Sequence, residues 1–104
     1  MNMHLTACLR LILPKSLESR ALEHLLLHPE RVGPFTLYRV EGHGAPHRMT
    51  SASEQVRGYA DRLQIEILLD EGYAQELIGR LRAELPSSEV NWWLSPVIAS
   101  GSLA

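Results

Sequence analysis

The segment DRLQIEILL at residues 61–69 decides the fold, because apolar residues occupy every second position of it from Leu63 to Leu69. Alternation with a period of two is typical of a β-strand that buries one face. The segment HLTACLRLIL at 4–13 repeats the pattern, with leucines at every second position from Leu9 to Leu13. The two segments therefore predict two strands whose apolar faces contribute to one core.

The residues around these strands predict two helices and two further strands. Pro14 ends the first strand, Ser16 is predicted to N-cap a helix, and that helix ends before Pro29. A second helix follows Asp70-Glu71-Gly72 and runs to about Leu85. Aromatic and β-branched residues predict the remaining strands at 35–41 and 90–94. The order βαββαβ predicts an α+β, ferredoxin-like fold, with an antiparallel sheet and two helices on one face.

Composition limits the class of protein. The chain has 104 residues, which predicts a single domain over 1–104 with a C-terminal tail at 95–104. Its net charge of −2 gives no electrostatic footprint for nucleic acid. No apolar run approaches the roughly 20 residues that a membrane span needs, so we expect no direct membrane insertion. One cysteine and no recognisable signal peptide lead us to expect a cytoplasmic protein.

The sheet face opposite the helices is predicted to be mixed in polarity. It carries one of two adjacent tryptophans, Trp92 and Trp93, the other being expected in the core. The remaining residues predicted on this face are His4, Thr6, Cys8, Arg10, Gln64, Glu66 and Leu68. Such a face is too apolar to remain in water, which predicts burial in a homo-oligomer.

The polar segment 42–58 is the first candidate for function, since long connections without secondary structure are uncommon in small domains. It contains His43 and His47, which with Glu41 form a candidate site for Cu, Zn, Co or Ni. Met49 would suit a soft ion such as Cu(I). Two histidines do not close a site, so neighbouring subunits would have to contribute. The alternative is that both histidines are simply exposed.

Other candidate ligands are less specific. His24 and His28 lie four residues apart on the first predicted helix and could chelate, although a histidine at a helix C-terminus is favoured by the dipole anyway. His4 and Cys8 share a strand face and could form a soft site around a symmetry axis, but a buried structural cysteine is commoner. Ser51 and Ser53 have no acid-base partner in a triad pattern, so we expect no enzyme.

Three phrases of the sequence resemble a known family. They are Val40-Glu41-Gly42-His43-Gly44, Ser53-Glu54-Gln55-Val56-Arg57-Gly58 and Trp93-Leu94-Ser95-Pro96-Val97, with Ser100-Gly101 near the end. Together they resemble small PII-like signalling proteins that are encoded beside proton-driven tripartite heavy-metal efflux transporters. The chain also resembles, more loosely, the CutA-type divalent-cation tolerance proteins, which are trimers of the same topology.

The resemblance implies a homotrimer in which residues 42–58 form the T-loop that contacts partners. Gly42, Gly44, Arg48 and Met49 would then belong to the partner-docking loop, with a membrane efflux transporter as the partner.

The resemblance leaves the ligand open. Nucleotide-binding PII proteins hold phosphates with glycine and lysine between the second helix and the fourth strand. Here Leu85-Pro86-Ser87-Ser88-Glu89 has neither, which argues against ATP or ADP. Arg39, Arg57 and Arg82 could bind another anion.

Three functions follow from these features. The first is a regulatory sensor that binds a small ligand or metal and acts on a transporter through 42–58. The second is a metal buffer or chaperone using His43 and His47. The third, from a different class, is a small enzyme at the inter-subunit cleft.

Overall fold

The computed structural model describes residues 4–44, 49, 51–87 and 89–104. Its strands are β1 (Ala7–Pro14), β2 (Val32–Gly42), β3 (Ala60–Leu69) and β4 (Asn91–Pro96). Its α-helices are α1 (Glu18–Leu25), α2 (Ala52–Arg57) and α3 (Glu71–Glu84). The strands pair antiparallel in the order β2-β3-β1-β4. This arrangement confirms the predicted ferredoxin-like α+β fold.

The core lies between the sheet and the two longer helices, as the alternating pattern predicts. In the register of β1 and β3, Leu11 lies opposite Ile65, and both side chains are almost completely buried. On α3, Tyr73 and Leu77 close the core from the helix side. The face predicted from alternation alone is therefore the buried face.

The first helix differs from its prediction at both ends. Pro14 leads straight into a 3-10 turn at Lys15–Leu17, so Ser16 lies inside this turn and caps nothing. The prediction that Ser16 is an N-cap was wrong, because α1 begins after Leu17 without a side-chain cap. The helix also ends at Leu25, since Leu26 and Leu27 have no core to pack against and are 57% exposed.

The segment 42–58 is not without structure, which corrects the prediction for its second half. The hydroxyl of Ser51 accepts a hydrogen bond of 3.1 Å from the backbone N–H of Glu54, and this caps the short helix α2. Gly58 ends the helix with φ of 83°, a left-handed conformation that glycine adopts without strain. The helix therefore places Glu54 and Arg57 at fixed positions beside the start of β3.

Strand boundaries shift where backbone pairing extends beyond the side-chain pattern. β2 begins at Val32 instead of 35, with an irregular register between Val32 and Phe35. Gly33 permits this pairing, because a Cβ atom there would lie 2.4 Å from the carbonyl oxygen of Leu68. β4 extends through Ser95 and Pro96, residues that were predicted to begin the tail.

Candidate functional site

A cavity lined with cations lies where α2 meets the ends of β1, β2 and β3. It has a volume of about 230 Å³. Lys15, Arg39, Arg57 and Arg62 line it together with the single acidic residue Asp61. Four cationic side chains around one small space make it a candidate anion site.

Arg62 and Glu54 form the buried foundation of this cavity. Their side chains are 2% and 8% exposed, and Arg62 Nη1 lies 4.0 Å from Glu54 Oε2. The same Glu54 oxygen accepts a hydrogen bond of 2.8 Å from the backbone N–H of Asp61. The carboxylate of Glu54 therefore connects α2 to the first residues of β3.

Sequence reasoning missed Glu54 and Arg62, although one signal for them was present. Ser51 and Glu54 have the spacing of a capping box, which predicts a helix start. In a capping box the acid bonds back to the N-cap N–H; here Glu54 also accepts from the Asp61 N–H and lies 4.0 Å from Arg62. That burial depends on the tertiary position of β3, which spacing along the chain does not reveal.

Arg57 connects α2 to the cavity. Its Nη2 donates a hydrogen bond of 2.6 Å to Asp61 Oδ2, and its Cζ lies 4.9 Å from the ring centroid of Tyr59. The hydrogen bond to Asp61 raises the pKa of Arg57 above its ordinary value. Both side chains are partly exposed, so the pair is accessible from the cavity.

Lys15 and Arg39 are the two cavity cations that have no carboxylate partner among the described residues. Within the described ranges, neither has an acidic group at ion-pair distance, and both are exposed. Two cations of the cavity therefore have carboxylate partners, Asp61 and Glu54, and two do not. A small oxyanion would supply the missing negative charge through charge-assisted hydrogen bonds.

Of the three predicted anion-binding arginines, the structure brings Arg39 and Arg57 together. Arg82 lines a different, mainly apolar cavity with Leu11, Ile78 and Trp92. Arg82 lies in the last turn of α3, in a cavity that Val90 and Trp92 also line.

The candidate metal ligands are only partly described. His43 Nε2 lies 3.4 Å from Glu41 Oε2, and both side chains are exposed. The His43 ring also lies 5.7 Å from that of Tyr59. His47 and Arg48 are outside the described residues. Among those that are described, no group of three His, Cys, Asp or Glu side chains could hold a metal ion.

The other candidate residues take ordinary structural positions. The His24–His28 pair predicted on one helix does not exist, because α1 ends at Leu25. His28 instead lies 3.6 Å from Glu30. Cys8 is buried. The hydroxyl groups of Ser51 and Ser53 lie 3.2 Å from each other.

Of the predicted T-loop docking residues that the structure describes, Gly44 and Met49 are exposed, whereas Gly42 is buried. Gly42 ends β2 and Gly44 has φ of 74°, while Met49 is 41% exposed. Gly42 is still paired with Ala60 of β3, whereas Gly44 and Met49 lie outside the strands.

The open sheet face carries a connected polar network. Tyr38 donates a hydrogen bond to Glu66, and Gln64 donates to the Tyr38 hydroxyl at 2.6 Å. Arg10 lies 3.8 Å from Glu66 and donates to Ser95. The hydrogen bond to Glu66, followed by desolvation and by the charge of that carboxylate, raises the pKa of Tyr38.

The two tryptophans lie on opposite faces of β4, as predicted, but neither is in the core. Trp92 lies opposite Leu11 on the helix side, and Trp93 lies opposite Arg10 on the open side. Their exposures are 42% and 43%. The prediction of a core tryptophan was wrong because β4 is an edge strand, where a large ring extends past the helices.

The order of the strands, the two crossing helices and the long connection after β2 define a PII-like fold. The chain belongs to the DUF3240 family, described as "Protein of unknown function", whose model matches residues 3–104. No curated protein matches the chain.

Solved structures agree with this assignment. A DUF3240 family protein from Shewanella baltica OS155 has a TM-score of 0.75 at 19% identity, covering 98% of this chain and 100% of that one. A putative PII-like signaling protein from Thermus thermophilus has a TM-score of 0.62 at 18% identity, covering 93% and 91%.

A third structure carries ligands. CPII, a nitrogen regulatory PII-like protein from Thiomonas intermedia K12, was solved with ADP, AMP and bicarbonate. Its TM-score is 0.68 at 13% identity, over 98% of this chain and 100% of that one.

In the part of the chain that the structure describes, no helix is long and apolar enough to span a membrane.

Proposed function

We propose that this chain is a PII-like regulatory protein that binds a small oxyanion in the cationic cavity and signals through residues 42–58. The observation that carries the proposal is that Lys15 and Arg39 line this cavity without carboxylate partners in the described ranges. Cations that already have a carboxylate partner need no further anion. Lys15 and Arg39, in contrast, leave uncompensated positive charge beside Arg57 and Arg62.

The ligand would act by joining the sheet to α2. Lys15 begins the 3-10 turn directly after β1 and Arg39 lies in β2, while Arg57 ends α2. An oxyanion that contacts Arg39 and Arg57 at once would hold α2 against the sheet and favour one conformation of the segment before it. A ligand shifts such an equilibrium only by its difference in affinity for the two conformations, and this bridge would supply that difference.

The signal would pass to a partner through residues of the same segment. Gly42, Gly44, Arg48 and Met49 are the proposed docking residues, and a heavy-metal efflux transporter is the proposed partner. We further propose a cytoplasmic homotrimer that closes around the open sheet face. Trp93 and Tyr38, which are both more than 40% exposed, support burial of that face.

The cavity favours a small oxyanion over a whole nucleotide. Sites for drug-sized ligands typically measure about 300–1,000 Å³, and this cavity has about 230 Å³. The stretch after α3 also offers Pro86, which has no N–H, and Glu89, whose charge repels phosphate. Of the ligands found with the Thiomonas protein, bicarbonate therefore suits this cavity better than ADP or AMP.

Calorimetric titration with bicarbonate, phosphate, AMP and ADP tests the proposal. We expect the two small oxyanions to bind, and Arg39→Gln to abolish their binding. Arg82→Gln is the matched control, because Arg82 lines another cavity and its loss should leave affinity unchanged. Affinity should also fall as salt rises, since exposed charges are screened. Equal binding by wild type and Arg39→Gln would contradict the site.

Metal binding is a second candidate function, favoured by the 3.4 Å contact between His43 and Glu41. These two side chains could begin a site that His47 or neighbouring subunits complete, as a metal buffer or a sensor would require. Titration with Cu, Zn, Co and Ni ions should then show binding that weakens in acid, because protons compete for imidazole. Replacing His43 and His47 by alanine should abolish it, whereas His28→Ala should not.

A further inference from the structure

A second cavity lies between α3 and β4, on the helix side of the sheet. Leu11 of β1, Leu81 of α3 and Trp92 of β4 line it, and its volume is about 140 Å³. In the part of the chain that the structure describes, it shares no lining residue with the cationic cavity. A ligand of this second cavity would therefore be independent of the proposed oxyanion.

The inner part of this cavity is apolar. Leu11, Ile78 and Leu81 belong to the core, whereas Trp92 is 42% exposed, so its ring forms an outer wall. The volume of the cavity is well below the roughly 300 Å³ at which sites for drug-sized ligands begin. It is close to that of an engineered apolar cavity of about 150 Å³ that holds one benzene molecule. The space therefore suits an apolar group about the size of one benzene ring.

The polar side chains of the lining are both hydrogen-bond donors. Arg82 is exposed, and within the described ranges no acidic group lies at ion-pair distance from it. The hydroxyl oxygen of Ser87 accepts a hydrogen bond of 3.1 Å from the backbone N–H of Glu89, which leaves the hydroxyl hydrogen able to donate. A guanidinium and a hydroxyl at one apolar cavity would together suit a carboxylate.

We propose that this cavity binds a small monocarboxylate whose apolar part is about the size of one benzene ring. The carboxylate would accept hydrogen bonds from Arg82 and Ser87, because the guanidinium fork matches the two oxygens of a carboxylate. The apolar part would lie against Leu81 and Trp92. An aromatic ring suits this position best, since aromatic pairs gain from edge-to-face or offset contact in addition to burial.

The helix dipole offers a simpler reason for Arg82, and the two explanations make different predictions. A cation in the last turn of α3 is favoured even without a ligand. In that case any small carboxylate would contact Arg82 equally weakly. A ligand of the cavity needs both the charge and the ring, so removal of either part should weaken binding strongly.

Benzoate is the probe that combines both parts, and NMR titration of the isotope-labelled full chain measures its binding. The chain has two tryptophans, whose indole N–H signals a Trp93→Phe variant assigns. Benzoate should shift the Trp92 signal along a saturable curve. The Trp93 signal is an internal control, because Trp93 lies on the opposite face of β4 and should not move. Acetate lacks the ring and benzyl alcohol lacks the charge, so each should bind at least about tenfold more weakly.

An exposed-residue variant locates the carboxylate. Arg82→Gln should weaken benzoate binding about tenfold, because it removes the charge-assisted hydrogen bonds. Arg39→Gln is the matched control, since Arg39 lines the cationic cavity and its loss should leave benzoate affinity unchanged. The two cavities are thus tested separately, whatever the outcome with bicarbonate or phosphate.

Three results would overturn the proposal. The first is the absence of a saturable shift of the Trp92 signal with benzoate. The second is equal benzoate affinity in wild type and Arg82→Gln. The third is acetate binding as tight as that of benzoate, because Arg82 would then act only as an exposed cation at the end of α3.

Discussion

Glu54 and Arg62 are the charged side chains buried within the described part of the chain, and they explain why the cationic cavity keeps its shape. Burying a charge is costly unless another charge and hydrogen bonds compensate it. Arg62 is compensated by Glu54 and donates a hydrogen bond of 2.9 Å to the carbonyl of Asp61. The pair thereby fixes one wall of the cavity while Lys15 and Arg39 remain accessible.

Replacing Glu54 by alanine should lower the free energy of unfolding by about 3 kcal/mol, because it removes the carboxylate beside a buried arginine. Glu23→Ala is the control, since this exposed acid on α1 should change stability by less than about 0.5 kcal/mol. Urea denaturation of the three proteins measures the difference. Equal stability of Glu54→Ala and Glu23→Ala would mean that water compensates Arg62 instead.

At the scale of residues, the sequence indicates which side chains could bind an anion, but it predicts less well which of them lie close together. Arg39 and Arg57 were recognised as candidate anion ligands from their charge, and the structure places them at one cavity. Lys15 was missed, because it reaches the cavity only through the 3-10 turn that replaces the expected helix start. Local pattern does not encode such a turn, which depends on where Pro14 ends β1.

At the scale of elements, α2 depends on its two ends. Six residues are too few for a stable isolated helix, so the Ser51 cap, the Gly58 terminus and the Glu54 anchor must hold it. The alternation in β1 and β3 predicted the sheet correctly, because every second side chain of these strands faces the core and is therefore apolar. α1 was predicted too long because helical periodicity continues to Leu26, whose side chain finds no partner in the fold.

Two glycine substitutions should act in opposite directions. Gly58→Ala should destabilise the protein by about 1–2 kcal/mol, because alanine is strained at a φ of 83°. Gly79→Ala should stabilise it by about 0.5–1 kcal/mol, because Gly79 lies inside α3 and has open space around it. Thermal unfolding of both variants measures this. A stabilising Gly58→Ala would show that α2 does not end in the left-handed conformation.

The Tyr38–Glu66 hydrogen bond predicts a titration on the open face. The pKa of Tyr38 is raised above its ordinary value of 10.0, so the folded chain holds this proton more tightly than the unfolded chain. The resulting stability is fully present below pH 10.0 and is lost as pH rises through the raised value. Glu66→Gln should lower the pKa of Tyr38 in an NMR titration, and Glu30→Gln should not. An unchanged pKa in Glu66→Gln would refute this cause.

At the scale of the whole molecule, the open sheet face should be an interface in the proposed homotrimer. Leu68 is half-buried there and lies opposite Cys8. Leu68→Asp should dissociate the trimer in sedimentation experiments, because a desolvated, unpaired carboxylate costs several kcal/mol. Val56→Asp is the matched control on exposed α2 and should leave the trimer intact. A wild-type monomer at micromolar concentration would exclude this assembly.

The central claim is that an oxyanion in the cationic cavity changes the conformational freedom of α2. Hydrogen exchange of residues 52–58, measured with and without saturating bicarbonate or phosphate, tests this claim most directly. The bridge from Arg39 to Arg57 predicts slower exchange at the amides of Gln55 and Gly58, which bond to Ser51 and Glu54. The change should disappear in Arg39→Gln and persist in Arg82→Gln. Bound ligand with unchanged exchange in this helix would contradict the account.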